Sequence, residues 1–313
     1  MIEHRYPFVL SPVAAAHSLA HVRNAVASLR DEADPDLVDS GWVPADVLFV
    51  QTLILLMGQP RAAAEPGPGP RGDDNAVAGG VWVREQLTLH RPVAIGEPFV
   101  VEGALAGQYA RKGRLYNIST STTRTESGEL LVTSRTTGLT RYRADPDLAD
   151  FALGLVEVGS GEAGPDEKSA ARNPCSAALR AARVGDSVSG PTCEVTLEML
   201  RERDGGRSAN PIHTEPQEAR RAGLAAPIAG GPHVFAFAQA LLTRTFGAEV
   251  LLHGAHIDVR WRAPVHAGQR VTARVRVSKI AADRVDFDLS VEREGVVAMV
   301  GSAAVPLAPE PSP

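Results

Sequence analysis

With 313 residues the chain is long for one compact core and comfortable for two of about 100 to 150 residues each. Its 44% hydrophobic and 22% charged residues fit a folded globular protein rather than a disordered one. A net charge of −5 and a pI near 6.0 exclude the basic footprint of a nucleic-acid binder. Two cysteines, Cys175 and Cys193, form neither a C-x-x-C pair nor a disulfide framework, so a reducing, cytoplasmic compartment is expected. MIEHRYPF carries charges where a signal peptide needs an apolar run, and no stretch reaches the roughly 18 apolar residues of a membrane span.

In chain order the first strong element is an apolar helix over residues 44–58 (PADVLFVQTLILLMG), which contains Gln51 and reads as buried. Residues 61–76 (RAAAEPGPGPRGDDNA) hold neither helix nor strand. After a corner at RPVAIGE (91–97) come an alternating segment (100–107), a polar turn and two β-rich runs (115–125 and 130–142). A stretch rich in Gly, Pro, Asp and Glu then forms a linker, dividing the chain into 1–145, 146–176 and 177–307.

The second half runs the same course. A helix over 232–245 (PHVFAFAQALLTRT) is opened by Gly230-Gly231, with Pro232 at its first position, and stopped at Gly247. Its front is apolar nearly all round, so it is enclosed on several sides. A corner at APVHAGQ (263–269), an alternating segment (271–280) and two strands (285–293 and 296–307) follow, before a tail expected to be disordered. Pro92 matches Pro264, Val93 matches Val265 and Gly96 matches Gly268, each pair 172 residues apart. The repeat predicts an α+β architecture built twice, a curved antiparallel sheet wrapping a central helix, with the exposed edges of the two copies pairing.

Ahead of the second helix lies RSANPIHTE (207–215). Pro211 stiffens the approach to His213, and Thr214-x-x-Gln217 reads as a capping box opening a helix over 215–222 with Gly223 as its stop. An imidazole at a helix entrance suits proton transfer near neutral pH; a core hydrogen bond is the plainer alternative. Gly231 is the second candidate, because N–H groups at a helix start favour a developing oxyanion. Pro232 has no N–H, so the donor is Gly231 or Gly230. A tight turn needing positive φ accounts for the same glycines.

These segments resemble the MaoC-like hydratase/dehydratase family of double hotdog proteins. NPIHTEPQEA (210–219) looks like that family's Asn-Pro-aliphatic-His catalytic segment, and PIAGG (227–231) like its Pro-Ile-x-x-Gly lead into the central helix. RPVAIGE and APVHAGQ look like its Arg-Pro-x-x-x-Gly-Asp strand-opening motif. The likeness is specific in the second half and architectural in the first. It implies a hydro-lyase of fatty acid or polyketide metabolism that adds or removes water across 2-enoyl or 3-hydroxyacyl thioesters. Coenzyme A or an acyl carrier protein would carry the acyl group, no further cofactor is expected, and a homodimer is the assembly to look for. One active site per chain is expected, the first half serving as a wall for the acyl chain.

In the family an aspartate two residues before the asparagine shares the acid/base work with the histidine, and Ser208 stands at that position here. Three replacements are open. Asp204 or Glu202 swings in from a flexible Gly-Gly loop; His233 reaches in from the first turn of the central helix; or no water is activated, as in isomerisation, conjugate addition or acyl binding by a non-catalytic protein. Asn210 either orients its neighbours or simply forms the turn. Arg260 and Arg262, alternating in DVRWRAP, either meet a phosphate of the carrier or form a solvated strand face. His17-x-x-x-His21 has the spacing of a metal pair without a third ligand, so no metal is expected, and His253 and His256 flank a strand start.

Overall fold

The computed structural model describes residues 6–59, 76–141, 144–154, 173–206 and 210–308. The expectations for Ser208, for most of the Pro/Gly cluster and for the tail fall outside them. The first half begins with strand β1 (Phe8–Ala15) and helices α1 (Leu19–Ala27) and α2 (Asp36–Asp39). Helices α3 (Ala45–Leu48) and α4 (Gln51–Met57) follow, then β2 (Ala76–Leu89), β3 (Phe99–Arg111), β4 (Arg114–Thr125), β5 (Leu130–Arg141) and β6 (Phe151–Gly154). The second half contains α5 (Ser176–Ala181), β7 (Ser187–Ser189), β8 (Cys193–Val195), α6 (Leu197–Arg203), α7 (Pro216–Arg221) and α8 (Gly231–Phe246). It closes with β9 (His256–Trp261), β10 (Gln269–Ile280), β11 (Arg284–Arg293) and β12 (Val296–Pro306). The expected meanders are β3-β4-β5 and β10-β11-β12, but the predicted linker holds β6, which pairs with β3.

The repeat has a structural cause. Gly96 and Gly268 both sit at positive φ (83° and 89°), a conformation that favours glycine, and so both Pro-Val-x-x-Gly corners turn alike. Each corner then grips the lead into its own central helix: Val43 N–H donates to Val93 O and Ala229 N–H to Val265 O, both at 2.8 Å.

The two halves share one sheet. Its order is β1-β3-β4-β5-β2-β9-β12-β11-β10-β7, with every pairing antiparallel and β6 and β8 added at β3 and β10. The seam is β2 against β9, where Arg84 holds Asp258 with two hydrogen bonds of 2.9 and 2.6 Å. Pairing the two edges leaves neither strand exposed to foreign chains.

Helix α8 is buried at every position from His233 to Thr243, as its apolar circumference requires. The helix expected over 44–58 is instead two short ones, because its ends serve different partners. Phe49 stacks on Phe235 of α8 at 4.6 Å, whereas α4 turns away to pack on β1, β3 and β4. Between them the chain tightens, with Val50 N–H reaching Val47 O.

Candidate active site

A cavity of about 470 Å³ opens between the halves at the start of α8. Its polar end is formed by Asp204, Asn210, His213, Gly230, Gly231 and His233. Its apolar arm is formed by Val47, Val50, Leu53, Ile54 and Met57 of the first half, with Trp82 of β2.

His213 ends a short 3-10 turn, Pro211–His213, in which the buried Asn210 side chain accepts from Ile212 N–H. Asn210 is therefore a turn former by contact. The capping box does not form: α7 starts at Pro216 after Glu215, with no side-chain cap, since proline already fixes the first turn. Gly223, at φ 85°, does stop it.

The His213 Nδ1 lies 2.8 Å from Ile228 O. A carbonyl only accepts, so Nδ1 carries the hydrogen and Nε2 is left with a free lone pair. That nitrogen faces the helix start: a methyl group placed on Gly230 would lie 4.0 Å from Nε2. Burial lowers the pKa of the ring, opposed by the Ile228 hydrogen bond and the charge of Asp204, so the imidazole is neutral at neutral pH.

Gly230 caps α8 and Gly231 is its first residue, one place earlier than the sequence predicts, with Pro232 second. Neither glycine has positive φ, so the tight-turn explanation falls. Gly231 is required by packing instead: a Cβ there would lie 2.8 Å from the Trp261 ring, whose Nε1 donates to Gly231 O at 3.0 Å. As the first helical residue, Gly231 has an N–H with no intrahelical acceptor.

His233 is buried one turn along. The hydroxyl of Ser28 donates to Ala25 O at 2.6 Å and so accepts from His233 Nε2 at 3.4 Å, which leaves Nδ1 as an acceptor with no partner among the described residues. Burial first, then the Arg203 charge, pushes this imidazole well below the ordinary value. The structure thus brings together His213, Gly231, Asn210 and His233.

Arg260 and Arg262 are not part of that set. Trp261 points inward onto Gly231, so strand alternation sends both arginines to the exposed outer face, away from the cavity lining. Glu202 is engaged by Arg30 at 2.8 Å and does not line the cavity. His253 pairs with Glu249, and His256 meets Thr88. Among the described residues no group of three His, Cys, Asp or Glu is placed to hold a metal.

The first half walls the cavity as expected, but sequence reasoning missed the part that α1 plays in it. His21 and Ala25 of α1 line the cavity, with Ser28 just beyond on the same face. The signal was available in Ser18, which caps α1 by accepting from His21 N–H and so sets the i, i+4, i+7 face. Arg203 also lines the cavity and pairs with Asp46 of α3 at 2.7 Å, a contact across 157 positions that no local pattern announces.

Residues 193–297 match the family model described as MaoC like domain. The second half of the chain is a MaoC-like domain. The match takes in His213, the glycine pair and the APVHAGQ corner of this MaoC-like domain, and stops short of the first half. Among solved structures, a protein named MaoC-like dehydratase superposes with a TM-score of 0.70 at 16% identity, over 98% of this chain and 100% of that one. Peroxisomal multifunctional enzyme type 2 from Drosophila melanogaster gives 0.61 at 17%, over 95% of this chain and 48% of that one. A Mycobacterium tuberculosis protein described as having a double hotdog fold gives 0.59 at 15%, over 95% and 96%. At these identities the likeness shows the fold: the MaoC-like domain is the second unit of a double hotdog. No curated protein sequence matches the chain. Among the described residues no helix is long and apolar enough to cross a membrane.

Proposed function

We propose that this protein adds water to 2-enoyl thioesters and, in reverse, dehydrates 3-hydroxyacyl thioesters, with the acyl group carried on coenzyme A or an acyl carrier protein. The observation that carries the reading is the bare Nε2 of His213 facing the start of α8 at the polar end of an apolar cavity. Nε2 takes a proton from water as the water oxygen bonds Cβ. The double-bond electrons move through Cα to the carbonyl oxygen, where the Gly231 N–H and the positive end of α8 hold the enolate charge. The imidazolium returns the proton to Cα, so one water ends on the product and the base is restored. His233 offers Nδ1 as an acceptor within the same wall, and the first-half arm excludes bulk water from the acyl chain.

Purified protein is expected to hydrate 2-enoyl thioesters of at least one chain length, and His213→Ala to lower kcat/KM by about 10²- to 10⁴-fold. The acid limb of kcat/KM should fall below the ordinary imidazole value of 6.5, because burial keeps His213 unprotonated to lower pH. Failure to hydrate or dehydrate any chain length contradicts the reading, and binding without turnover favours a non-catalytic acyl-thioester binding protein.

A further inference from the structure

The attacking water has two hydrogens, and His213 Nε2 accepts one. Among the described residues lining the cavity, Asp204 is the one carboxylate. Nearby acids are engaged elsewhere: Glu202 with Arg30, Asp46 with Arg203 and Glu32 with Arg244. Asp204 has no hydrogen-bond or ion-pair partner among the described residues.

The sequence predicts a flexible Gly-Gly loop here, and in the structure both glycines return hydrogen bonds to α6. Asp204 is the C-cap of α6. Gly206 N–H returns to Arg201 O at 2.7 Å and Gly205 N–H to Glu202 O at 3.0 Å, with Gly205 at φ 63°. These are the two bonds of a Schellman motif, which fixes the capping residue. The preceding residue, Arg203, is clamped by Asp46, which also accepts from Gln239 of α8 at 2.9 Å. Asp204 is thus held over the cavity from both sides, and its charge reaches His213 on one flank and His21 on the other.

We propose that Asp204 is a catalytic residue, its carboxylate holding the second hydrogen of the attacking water and steadying the imidazolium that forms on His213. The assignment rests on the hydration reading above. One O–H bond of the water breaks toward Nε2 as the C–O bond forms at Cβ. The other O–H stays intact, hydrogen-bonded to Asp204, and becomes the product hydroxyl. The carboxylate gains no proton in the cycle; it orders the water and lowers the energy of the charged intermediate state.

The test is Asp204→Asn in the full chain, with Asp204→Glu and Glu202→Gln alongside. Asp204→Asn is expected to lower kcat/KM for enoyl-thioester hydration about 10²-fold without lowering the melting temperature. Asp204→Glu should keep a measurable part of the rate, and Glu202→Gln should keep all of it. A second readout needs no turnover: the His213 titration followed by imidazole NMR should move down when the neighbouring charge, which raises it, is removed. Full hydration by Asp204→Asn beside an inactive His213→Ala overturns the role of Asp204 and leaves the hydration reading intact. A wild-type chain that hydrates nothing ends that reading and the catalytic role together. An unmoved His213 titration in Asp204→Asn then overturns the placement of Asp204 as well.

Discussion

The hydrogen bond from His213 Nδ1 to the Ile228 carbonyl decides which nitrogen of the ring can act, and the residues that make it are fifteen positions apart. Both belong to segments legible in the sequence, NPIH and PIAGG, so the pairing of histidine with helix start could be anticipated. The tautomer could not, since it depends on a through-space contact. Glu85 shows the same limit more sharply. It is fully buried on β2, and burial pushes its carboxyl up to about 8; the Thr136 and Ser134 hydroxyls oppose this but are themselves bonded to Thr52. Below pH 4.5 the group is protonated both folded and unfolded and carries no penalty. From 4.5 up to about 8 the unfolded chain releases the proton while the folded one retains it, so stability falls as pH rises, by about 3 kcal/mol at pH 7. Glu85→Gln should therefore raise the urea midpoint at pH 8 and leave it unchanged at pH 4.5; a gain equal at both values would contradict this.

Helices α3, α6 and α8 meet through one buried polar clasp. Asp46 N–H donates to the Gln239 side chain, the Gln239 amide donates back to the Asp46 carboxylate, and Arg203 closes the set, with Asp46 only 3% exposed. This clasp joins the first-half helix to the cavity wall, and its partners come from three segments that look unrelated in sequence. Removing one member strands the other: Arg203→Met should cost about 3 to 5 kcal/mol by leaving a buried carboxylate without its cation. Adding Asp46→Asn to that variant should recover part of the loss, measured by chemical denaturation, whereas simple addition of two losses would show that the pair is not coupled. The same clasp explains why one predicted helix is two. Asp46 and Phe49 are drawn to α8, while Thr52 is drawn to Ser134 and Thr136 under α4.

For the whole molecule, the repeated corners, the two meanders and the enclosed α8 were legible because local rules write them: glycine at positive φ, period-two alternation, and proline at a helix start. That the two copies pair edge to edge was legible too, but the choice of β2 and β9 for the seam, the strand β6 inside the predicted linker, and the cavity wall from α1 were not, because each depends on where distant segments meet. The seam sets the apolar arm of one half against the polar end built by the other. The most direct measurement is a crystal structure of the full chain with a non-hydrolysable 2-enoyl or 3-hydroxyacyl thioester analogue bound. The account predicts the thioester carbonyl oxygen within hydrogen-bonding distance of Gly231 N–H, Cβ facing His213 Nε2 and the chain lying along Val50, Ile54 and Trp82. An acyl group bound away from His213, or seated there with its carbonyl turned from the start of α8, would contradict it.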